Sequence, residues 1–248
     1  MQSACMVLLA EYYHIKYRHS FAIFATPIIH PMLHVLNKNN SIFNHFLAEM
    51  RDTSIQGDSM RFRRNLERCA EILSYEISKV LEYENKEVTT PLGIANVNLI
   101  SDKLVIACIL RAGLPFHQGV LNYFDGAQNA FVSAYRKHHK DGTFDIKIEY
   151  LSCPDLTDKI LIVCDPMIAT GSSMVLAYKA LITKGIPKHT HFVGLIASDE
   201  GIEYTRSHTP ANCTIWVGGV DDELTAQAYI VPGLGDAGDL AFGPKQDS

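Results

Sequence analysis

Five short apolar runs, set between helical or glycine-rich segments, constrain the fold of this chain more than any other feature. They span residues 104–110, 129–134, 160–164, 191–197 and 213–217. Because these runs are continuously apolar and do not alternate with polar residues, we expect strands that are covered on both faces. Strands of that kind belong to parallel sheets with crossover helices. The sequence therefore predicts an α/β fold with a mainly parallel central sheet and flanking helices.

Two further segments show a clear periodicity. Residues 146–151 alternate apolar and polar side chains, which predicts an edge strand or the arm of a hairpin. Residues 60–82 carry apolar side chains at spacings of three and four, which predicts one long helix capped by Asp58 or Ser59. The apolar stripe of this helix consists of Phe62, Leu66, Cys69, Leu73, Ile77 and Val80.

Length and charge exclude several functional classes. With 248 residues the chain is sized for one large domain, or for one domain with an appendage, because domains average about 150 residues. Its net charge of −5 creates no general attraction to nucleic acid or anionic lipid, so we expect neither as a partner. No apolar stretch approaches the roughly 20 residues that span a bilayer, so we expect a soluble protein that does not enter a membrane.

The cysteines and the N-terminal segment indicate where the protein works. Six cysteines stand singly, without a C-x-x-C pair, which favours reduced, structural thiols in a cytoplasmic protein. Lys16 and Arg18 precede an apolar stretch at 21–29, as in a signal peptide, but Pro27 interrupts it and no small-residue cleavage site follows. We therefore expect residues 1–31 to be an extension outside the core and residues 32–248 to form a single domain.

The strongest local signal is the segment 160–173, ILIVCDPMIATGSS. A buried strand ends at Asp165, and a loop with Thr170, Gly171, Ser172 and Ser173 then leads into a helix, where backbone N–H groups and hydroxyls can hold an anion. The spacing and lysine of a Walker loop are absent. Taken alone, the hydroxyls are equally consistent with ordinary helix caps. A carboxylate that ends a buried strand, however, lies where open α/β sheets bind ligands.

A second signal, ILRAGLPF at 109–116, also follows a buried strand. Arg111 is therefore expected at the same sheet edge as Asp165, and Gly113 would allow the backbone to approach a ligand closely. A guanidinium suits a diphosphate because it makes bidentate contacts, although an ion pair to the neighbouring strand is the simpler alternative. The run 135–140, YRKHHK, adds Arg136 but is typical of a solvated loop.

A third signal, YIVPGLGDAGDLAFG at 229–243, contains the glycine pattern G-x-G-x-x-G. In a dinucleotide site this pattern opens a helix and precedes an acidic residue about 20 positions later, whereas only ten residues follow Gly238. We therefore interpret the segment as a loop whose main-chain groups contact a planar, hydrogen-bonding ligand. The alternative is a flexible tail.

Together, the motifs LRAGL, DPMIATGSS and YIVPGLGDAGD resemble the uracil phosphoribosyltransferase family over roughly residues 33–244. The resemblance implies a type I phosphoribosyltransferase fold with a small hood made by the N-terminal helix, a hairpin and the C-terminal loop. It implies transfer of the 5-phosphoribosyl group from 5-phosphoribosyl-1-diphosphate (PRPP) to N1 of uracil, which gives UMP and diphosphate. It also implies Mg²⁺ as the cofactor, held mainly through PRPP rather than by protein ligands.

The resemblance assigns roles to particular residues of this chain. The residues it implies to be catalytic are Arg111, Asp165 and Asp236. The residues it implies to bind PRPP are Arg111, Arg136, Asp165, Pro166, Met167, Ile168, Ala169, Thr170, Gly171, Ser172, Ser173 and Asp236. The residues it implies to bind uracil are Ile230, Gly235, Asp236 and Ala237. Ser172 departs from the glycine that is common in the family.

Three alternatives to uracil transfer stay open at this level. One is a regulator of the same fold that senses PRPP or UMP and binds RNA, which the negative net charge disfavours. Another is an NAD-dependent oxidoreductase, which the position of the glycine pattern disfavours. The third is a transferase for another nucleobase. The apolar surface near the long helix favours a homodimer or a higher homo-oligomer.

Overall fold

A computed structural model describes residues 32–138 and 144–245, and the structural statements below concern that part of the chain. The expected extension, residues 1–31, lies outside the described residues. The strands are β1 (Met32–Val35), β2 (Tyr83–Thr90), β3 (Gly93–Ile100), β4 (Leu104–Leu110), β5 (Gln128–His138), β6 (Phe144–Ser152), β7 (Ile160–Cys164), β8 (Met167–Ile168), β9 (His189–Ser198), β10 (Cys213–Asp221), β11 (Glu223–Leu224) and β12 (Ile230–Val231). The helices are α1 (Phe43–Arg51), α2 (Ser59–Ser78), α3 (Gly113–Tyr123), α4 (Ser172–Leu181), α5 (Asp199–His208) and α6 (Ala237–Phe242).

The central sheet has eight strands. β1, β10, β9, β7, β4, β5 and β6 lie side by side in that order, and the short β8 pairs with β9. All of these pairs are parallel except β5–β6. The five predicted apolar runs lie in β4, β5, β7, β9 and β10, and the alternating run lies in the antiparallel edge strand β6. The predicted α/β class with a mainly parallel sheet is thus confirmed.

Helices cover both faces of the sheet, which is why its strands are continuously apolar. In β7, Ile160, Ile162 and Cys164 pack in one core with α1, α2 and α3. The intervening Leu161 and Val163 pack on the opposite face with α4 and α5. Successive strand residues point to opposite faces, so a strand between two helical layers has no position for an exposed polar side chain.

The long helix α2 is one turn shorter than predicted. Asp58 caps it as expected, since its Oδ1 accepts hydrogen bonds of 3.0 Å from the N–H groups of Met60 and Arg61. The predicted apolar stripe from Phe62 to Ile77 is buried. Val80, predicted to continue the stripe, follows the end of the helix and is 55% exposed. The prediction was wrong at this end because the chain leaves the helix at Ser78.

The run 135–140, predicted as a solvated loop, is extended up to His138. Strand β5 continues through these residues and pairs with β6 in register, Arg136 opposite Ile146 and His138 opposite Phe144. The antiparallel partner satisfies the backbone groups, so the polar composition of the run does not end the strand. Residues 139–143 and the side chain of Arg136 lie outside the described part.

Two peripheral units complete the architecture. β2 and β3 form a separate antiparallel hairpin that is exposed along most of its length. The resemblance implies a hairpin beside the core, but no pattern in the sequence places it at residues 83–100. The C-terminal segment, with β11, β12 and α6, packs against α2, where an Nη1 atom of Arg63 donates a 2.6 Å hydrogen bond to the carbonyl oxygen of Ala241. This C-terminal segment and the N-terminal helices make a hood beside the sheet.

Candidate active site

Polar side chains gather at the carboxyl edge of the central sheet. Arg111 follows β4, Asp165 follows β7, Ser198 ends β9 and Asp221 ends β10. Because these four strands are parallel, their carboxyl ends share one edge, where open α/β sheets bind ligands. Arg111 and Asp165 thus lie on the edge predicted for them. Ser198 directly follows a predicted apolar run, and that position could have identified it from the sequence.

The loop after β7 is fastened to the neighbouring strand β9. The carbonyl oxygen of Pro166 accepts hydrogen bonds of 3.0 and 3.1 Å from the N–H groups of Leu195 and Ile196. Met167 and Ile168 pair with β9 as the short strand β8, and the Oδ1 atom of Asp165 accepts a 3.2 Å hydrogen bond from the N–H of Met167. The first half of the predicted PRPP loop is therefore rigid backbone.

The second half of this loop turns at Gly171, which caps α4 in a left-handed conformation with φ of 74°. A Cβ atom there would lie 2.5 Å from the carbonyl oxygen of Gly201 and 2.8 Å from the hydroxyl of Thr205. Both the torsion angle and the close contact therefore require glycine. Ser198 also supports the turn, since its hydroxyl donates a 2.6 Å hydrogen bond to the carbonyl oxygen of Ala169.

This turn has the properties of an anion site. The first N–H groups of α4 have no partner within the helix, and their dipoles favour a negative charge. The side chains of Thr170, Ser172 and Ser173 are partly exposed around them. The hydroxyl of Thr170 donates a 3.1 Å hydrogen bond to Oγ of Ser172, so Ser172 adds a further hydroxyl close to the turn.

Arg111 lies between β4 and the C-terminal helix. Its Nη2 atom lies 2.8 Å from Oδ1 of Asp239 in α6. The ion-pair partner of Arg111 therefore belongs to the terminal helix rather than to a neighbouring strand. Asp239 is the last residue of the motif YIVPGLGDAGD, but the resemblance assigns it no role. The Nε atom of Arg111 is buried and has no hydrogen-bond partner among the described residues.

Gly113, expected to allow a ligand close to the backbone, has a structural role. A Cβ atom there would lie 3.0 Å from the carbonyl oxygen of Cys164 and 3.2 Å from the sulfur of Cys108. The glycine thus lets the start of α3 pack against the end of β7. Burial raises the pKa of Cys108 to about 12 and the pKa of Cys164 well above its ordinary value, so both thiols stay protonated. This agrees with the prediction of structural cysteines.

The glycine-rich terminal loop is held in place at Gly233, where both the N–H and the carbonyl oxygen have hydrogen-bond partners. Gly233 donates its N–H to Oδ2 of Asp221 at 3.0 Å, and its carbonyl oxygen accepts a 3.0 Å hydrogen bond from Arg51. Arg51 also pairs with Asp221, and Gln56 donates to the carbonyl oxygen of Leu234 at 3.2 Å. The alternative of a flexible tail is therefore wrong.

The predicted uracil residues differ in what they expose. The side chains of Ile230 and Ala237 are buried in the core shared with α1 and α2, so only their main-chain groups remain for a ligand. Gly235 is exposed, and Asp236 is partly exposed. Oδ1 of Asp236 caps α6 by accepting hydrogen bonds from Gly238 at 2.8 Å and Asp239 at 3.0 Å.

The described residues contain no cluster of three or more His, Cys, Asp or Glu side chains that could hold a metal ion. Mg²⁺ is commonly held by one or two carboxylates together with substrate phosphates, and the carboxylates among the predicted PRPP residues are Asp165 and Asp236. No helix in the described part of the chain is long and apolar enough to cross a membrane.

Comparisons with known proteins agree with one another. The family model for uracil phosphoribosyltransferase matches residues 37–244. A uracil phosphoribosyltransferase from Porphyromonas gingivalis is 57% identical over 210 residues, which cover 85% of this chain and 97% of that protein. Another, from Methanothermobacter thermautotrophicus, is 37% identical over 218 residues, which cover 87% of this chain and 97% of that protein. A solved structure from Aquifex aeolicus has a TM-score of 0.75 at 31% identity, covering 86% of this chain and 98% of that one.

Proposed function

This chain belongs to the uracil phosphoribosyltransferase family, and we propose that it transfers the 5-phosphoribosyl group of PRPP to N1 of uracil at the carboxyl edge of its sheet. The products are UMP and diphosphate. The observation that carries this proposal is the placement of an anion-binding turn, Thr170–Ser173, at the sheet edge from which Arg111 also emerges. An anion site and a guanidinium at one edge suit a substrate with phosphates at both ends.

PRPP is proposed to lie along the loop after β7. The N–H groups and hydroxyls at Thr170–Ser173 hold the 5-phosphate, and the preceding residues from Asp165 to Ala169 line the ribose. Arg111 contacts the diphosphate, and Arg136, whose side chain lies outside the described part, is assigned to PRPP by the resemblance alone. Rigid attachment of this loop to β9 favours the assignment, because a fixed anion site orients the ribose without reorganisation.

The chemistry follows from displacement of diphosphate at the anomeric carbon. As this bond breaks, positive charge develops on the ribose and negative charge develops on the leaving group. Arg111 stabilises the leaving group more as its charge grows, while the remote phosphate site supplies binding energy for orientation. Mg²⁺ would be bound mainly by PRPP, with Asp165 or Asp236 as the protein carboxylate beside it, and would neutralise part of the phosphate charge.

Uracil is proposed to bind main-chain groups near Ile230 and Gly235–Ala237. Hydrogen bonds to its carbonyl oxygens favour the anionic form of the base, whose N1 is the better nucleophile. Asp236 caps α6 and is partly exposed, and its proposed role is to organise water or the ribose. We assign no dedicated general base.

Labelled uracil, PRPP and Mg²⁺ test the proposed reaction directly. We expect UMP and diphosphate in equal amounts, and no product when PRPP is omitted. A protein that binds PRPP or UMP without forming product would be a regulator of the same fold. Transfer to a purine base but not to uracil would identify a different nucleobase substrate.

We further propose a cytoplasmic homo-oligomer whose catalytic domain begins at residue 32. The exposed hairpin β2–β3 carries six apolar side chains, which another copy of the chain could cover. These side chains are Tyr83, Val88, Leu92, Ile94, Val97 and Leu99. Light scattering after gel filtration measures the mass, and Ile94→Lys with Leu99→Lys should lower it if the hairpin is the interface. Unchanged mass in the variant would place the interface elsewhere.

A further inference from the structure

We propose that Asp239 is a positioning residue that orients the guanidinium of Arg111 for the leaving diphosphate. The inference rests on the role proposed above for Arg111. Nη2 of Arg111 lies 2.8 Å from Oδ1 of Asp239, although the two residues are separated by 128 positions in the sequence. The ion pair thus joins the end of β4 to the first turn of α6.

Asp239 can serve as a fixed partner because its own backbone is held. Its N–H donates a 3.0 Å hydrogen bond to the capping carboxylate of Asp236, and its carbonyl oxygen accepts a 2.8 Å bond from Gly243. The hydrogen bond between Arg63 and Ala241 fastens the same helix to α2. The carboxylate of Asp239 is therefore presented from a short but well-supported turn.

The start of α6 also packs closely on the guanidinium. A Cβ atom on Gly238 would lie 3.4 Å from Nη2 of Arg111, so the backbone of this turn lies directly beside the ion pair. The carbonyl oxygen of Gly243 lies 3.4 Å from Nη1. One side of the guanidinium is thus occupied by the terminal helix.

The remaining N–H groups of Arg111 are left for a ligand. A guanidinium has five N–H donors in a fixed fork, and α6 engages only part of this set. Nε is buried and has no partner among the described residues, but the side chain as a whole is 36% exposed, so the donors that a ligand can reach are the Nη N–H groups that the terminal segment does not engage. A diphosphate oxygen can accept from these groups, and the pair with Asp239 selects the rotamer that exposes them.

The ion pair lies beside the proposed uracil loop. Asp236 lies in the proposed uracil loop, and it is only three positions from Asp239, whose N–H it accepts. A substitution of the Asp239 side chain leaves the N–H that Asp236 accepts in place, so it changes the orientation of Arg111 without releasing the uracil loop. The kinetic consequence should appear in kcat and in the KM for PRPP, with little change in the KM for uracil.

The test is a double-mutant cycle on the full chain with PRPP, uracil and Mg²⁺. Arg111→Ala should lower kcat/KM for PRPP by about a hundredfold or more, because a contact strengthened in the transition state is lost. Asp239→Ala should lower it roughly tenfold, and Asp239→Asn, which keeps an acceptor oxygen, should lose less. In the Arg111→Ala background, Asp239→Ala should cause no further loss.

A matched control is Glu76→Ala, which breaks an ion pair of 2.6 Å with Lys79 at the exposed end of α2. It should leave all kinetic constants unchanged. Melting temperatures show which variants are folded, and Asp239→Asn provides the measurement if Asp239→Ala is unfolded. Equal losses from Asp239→Ala in both backgrounds, or faster turnover in that variant, would overturn the positioning role. Full activity of Arg111→Ala would instead overturn the proposed role of Arg111 itself.

Discussion

Arg51 and Asp221 hold each other through two hydrogen bonds of 2.7 and 2.8 Å, and both also bind the main chain of Gly233. Arg51 ends α1 and Asp221 ends β10, so the pair ties the terminal loop to two separate elements of the fold. Asp221 is 7% exposed, and its charge is compensated by the guanidinium and by the N–H of Gly233. The proposed uracil loop is rigid because of this pair.

Arg51→Ala should therefore loosen the uracil loop and destabilise the fold. Removing one partner leaves a buried carboxylate without its cation, which costs about 3 kcal/mol of unfolding free energy. The KM for uracil should rise, whereas PRPP binding measured by calorimetry should change little. Arg61→Ala is the matched control, because it breaks an exposed ion pair with Glu49 and should cost less than about 1 kcal/mol. Similar effects of both variants would contradict this role for Arg51.

Gly171→Ala tests the anion-binding turn. An alanine must adopt a left-handed conformation there, at a cost of about 1–2 kcal/mol, and its Cβ overlaps the carbonyl oxygen of Gly201. We expect loss of PRPP affinity in calorimetry and a lower unfolding free energy. Gly57→Ala introduces the same methyl group at an exposed position with nothing within 4 Å, and it should be neutral. Undiminished PRPP affinity in Gly171→Ala would place the phosphate elsewhere.

The lowered pKa of His191 should make the unfolding free energy depend on pH. Burial and the neighbouring His189 lower its pKa from 6.5 to about 3, and its Nδ1 accepts a 3.1 Å hydrogen bond from the indole N–H of Trp216. The folded protein therefore keeps this histidine neutral, whereas the unfolded chain takes up a proton below pH 6.5. The contribution of His191 to the unfolding free energy is therefore complete above pH 6.5 and is lost as the pH falls toward 3. Over that range the unfolding free energy changes with a slope approaching about 1.4 kcal/mol per pH unit.

Urea unfolding at several pH values measures this contribution. His191→Asn keeps an acceptor for Trp216 but does not titrate, so its unfolding free energy should fall less steeply below about pH 6. His34 and His189 also have pKa values lowered by burial, and they leave a residual slope in the variant. Identical slopes for the variant and the original protein would show that His191 does not contribute.

Removing residues 1–31 should leave a folded, active enzyme. The family model begins at residue 37, and the aligned region covers 97% of the Porphyromonas gingivalis protein but 85% of this chain. A chain that starts at Asn39 is the informative comparison, because it also lacks β1, which pairs with β10 from Met32 to Val35. We expect UMP formation from the first truncation and loss of stability in the second. Loss of folded protein in the first would assign residues 1–31 to the core.

The parts of the fold that were predicted from sequence are those with a local signal. Continuous apolar runs identify β4 and β7, because both faces of these strands are buried. The motif residues Arg111 and Asp165 were placed at the correct sheet edge because parallel strands end together. The resemblance implies a hairpin, but the sequence does not locate it at β2–β3, because an exposed ribbon lacks the burial pattern that identifies a strand.

Long-range pairs carried no signal in the sequence. Arg51 and Asp221 are 170 positions apart, and Arg111 and Asp239 are 128 positions apart. Nothing local to either arginine identifies its partner, because Asp221 ends β10 and Asp239 lies in α6, and only the folded chain brings them to the arginines. The expectation that Gly113 lets a ligand approach the backbone is wrong because the residue that it contacts, Cys164, belongs to another strand and is not evident from the local sequence.

The rate of nucleotide formation from uracil, compared with that from cytosine at saturating PRPP, directly tests whether the terminal loop is the uracil site. Main-chain groups around Ile230 and Gly235–Ala237 present one fixed pattern of donors and acceptors, and cytosine reverses this pattern at its exocyclic group and at N3. A site that leaves its own groups unpaired with the wrong base should discriminate by roughly 10⁴ in kcat/KM. We predict UMP from uracil and no measurable nucleotide from cytosine or hypoxanthine. Equal use of these bases would contradict the assignment of the terminal loop as the uracil site.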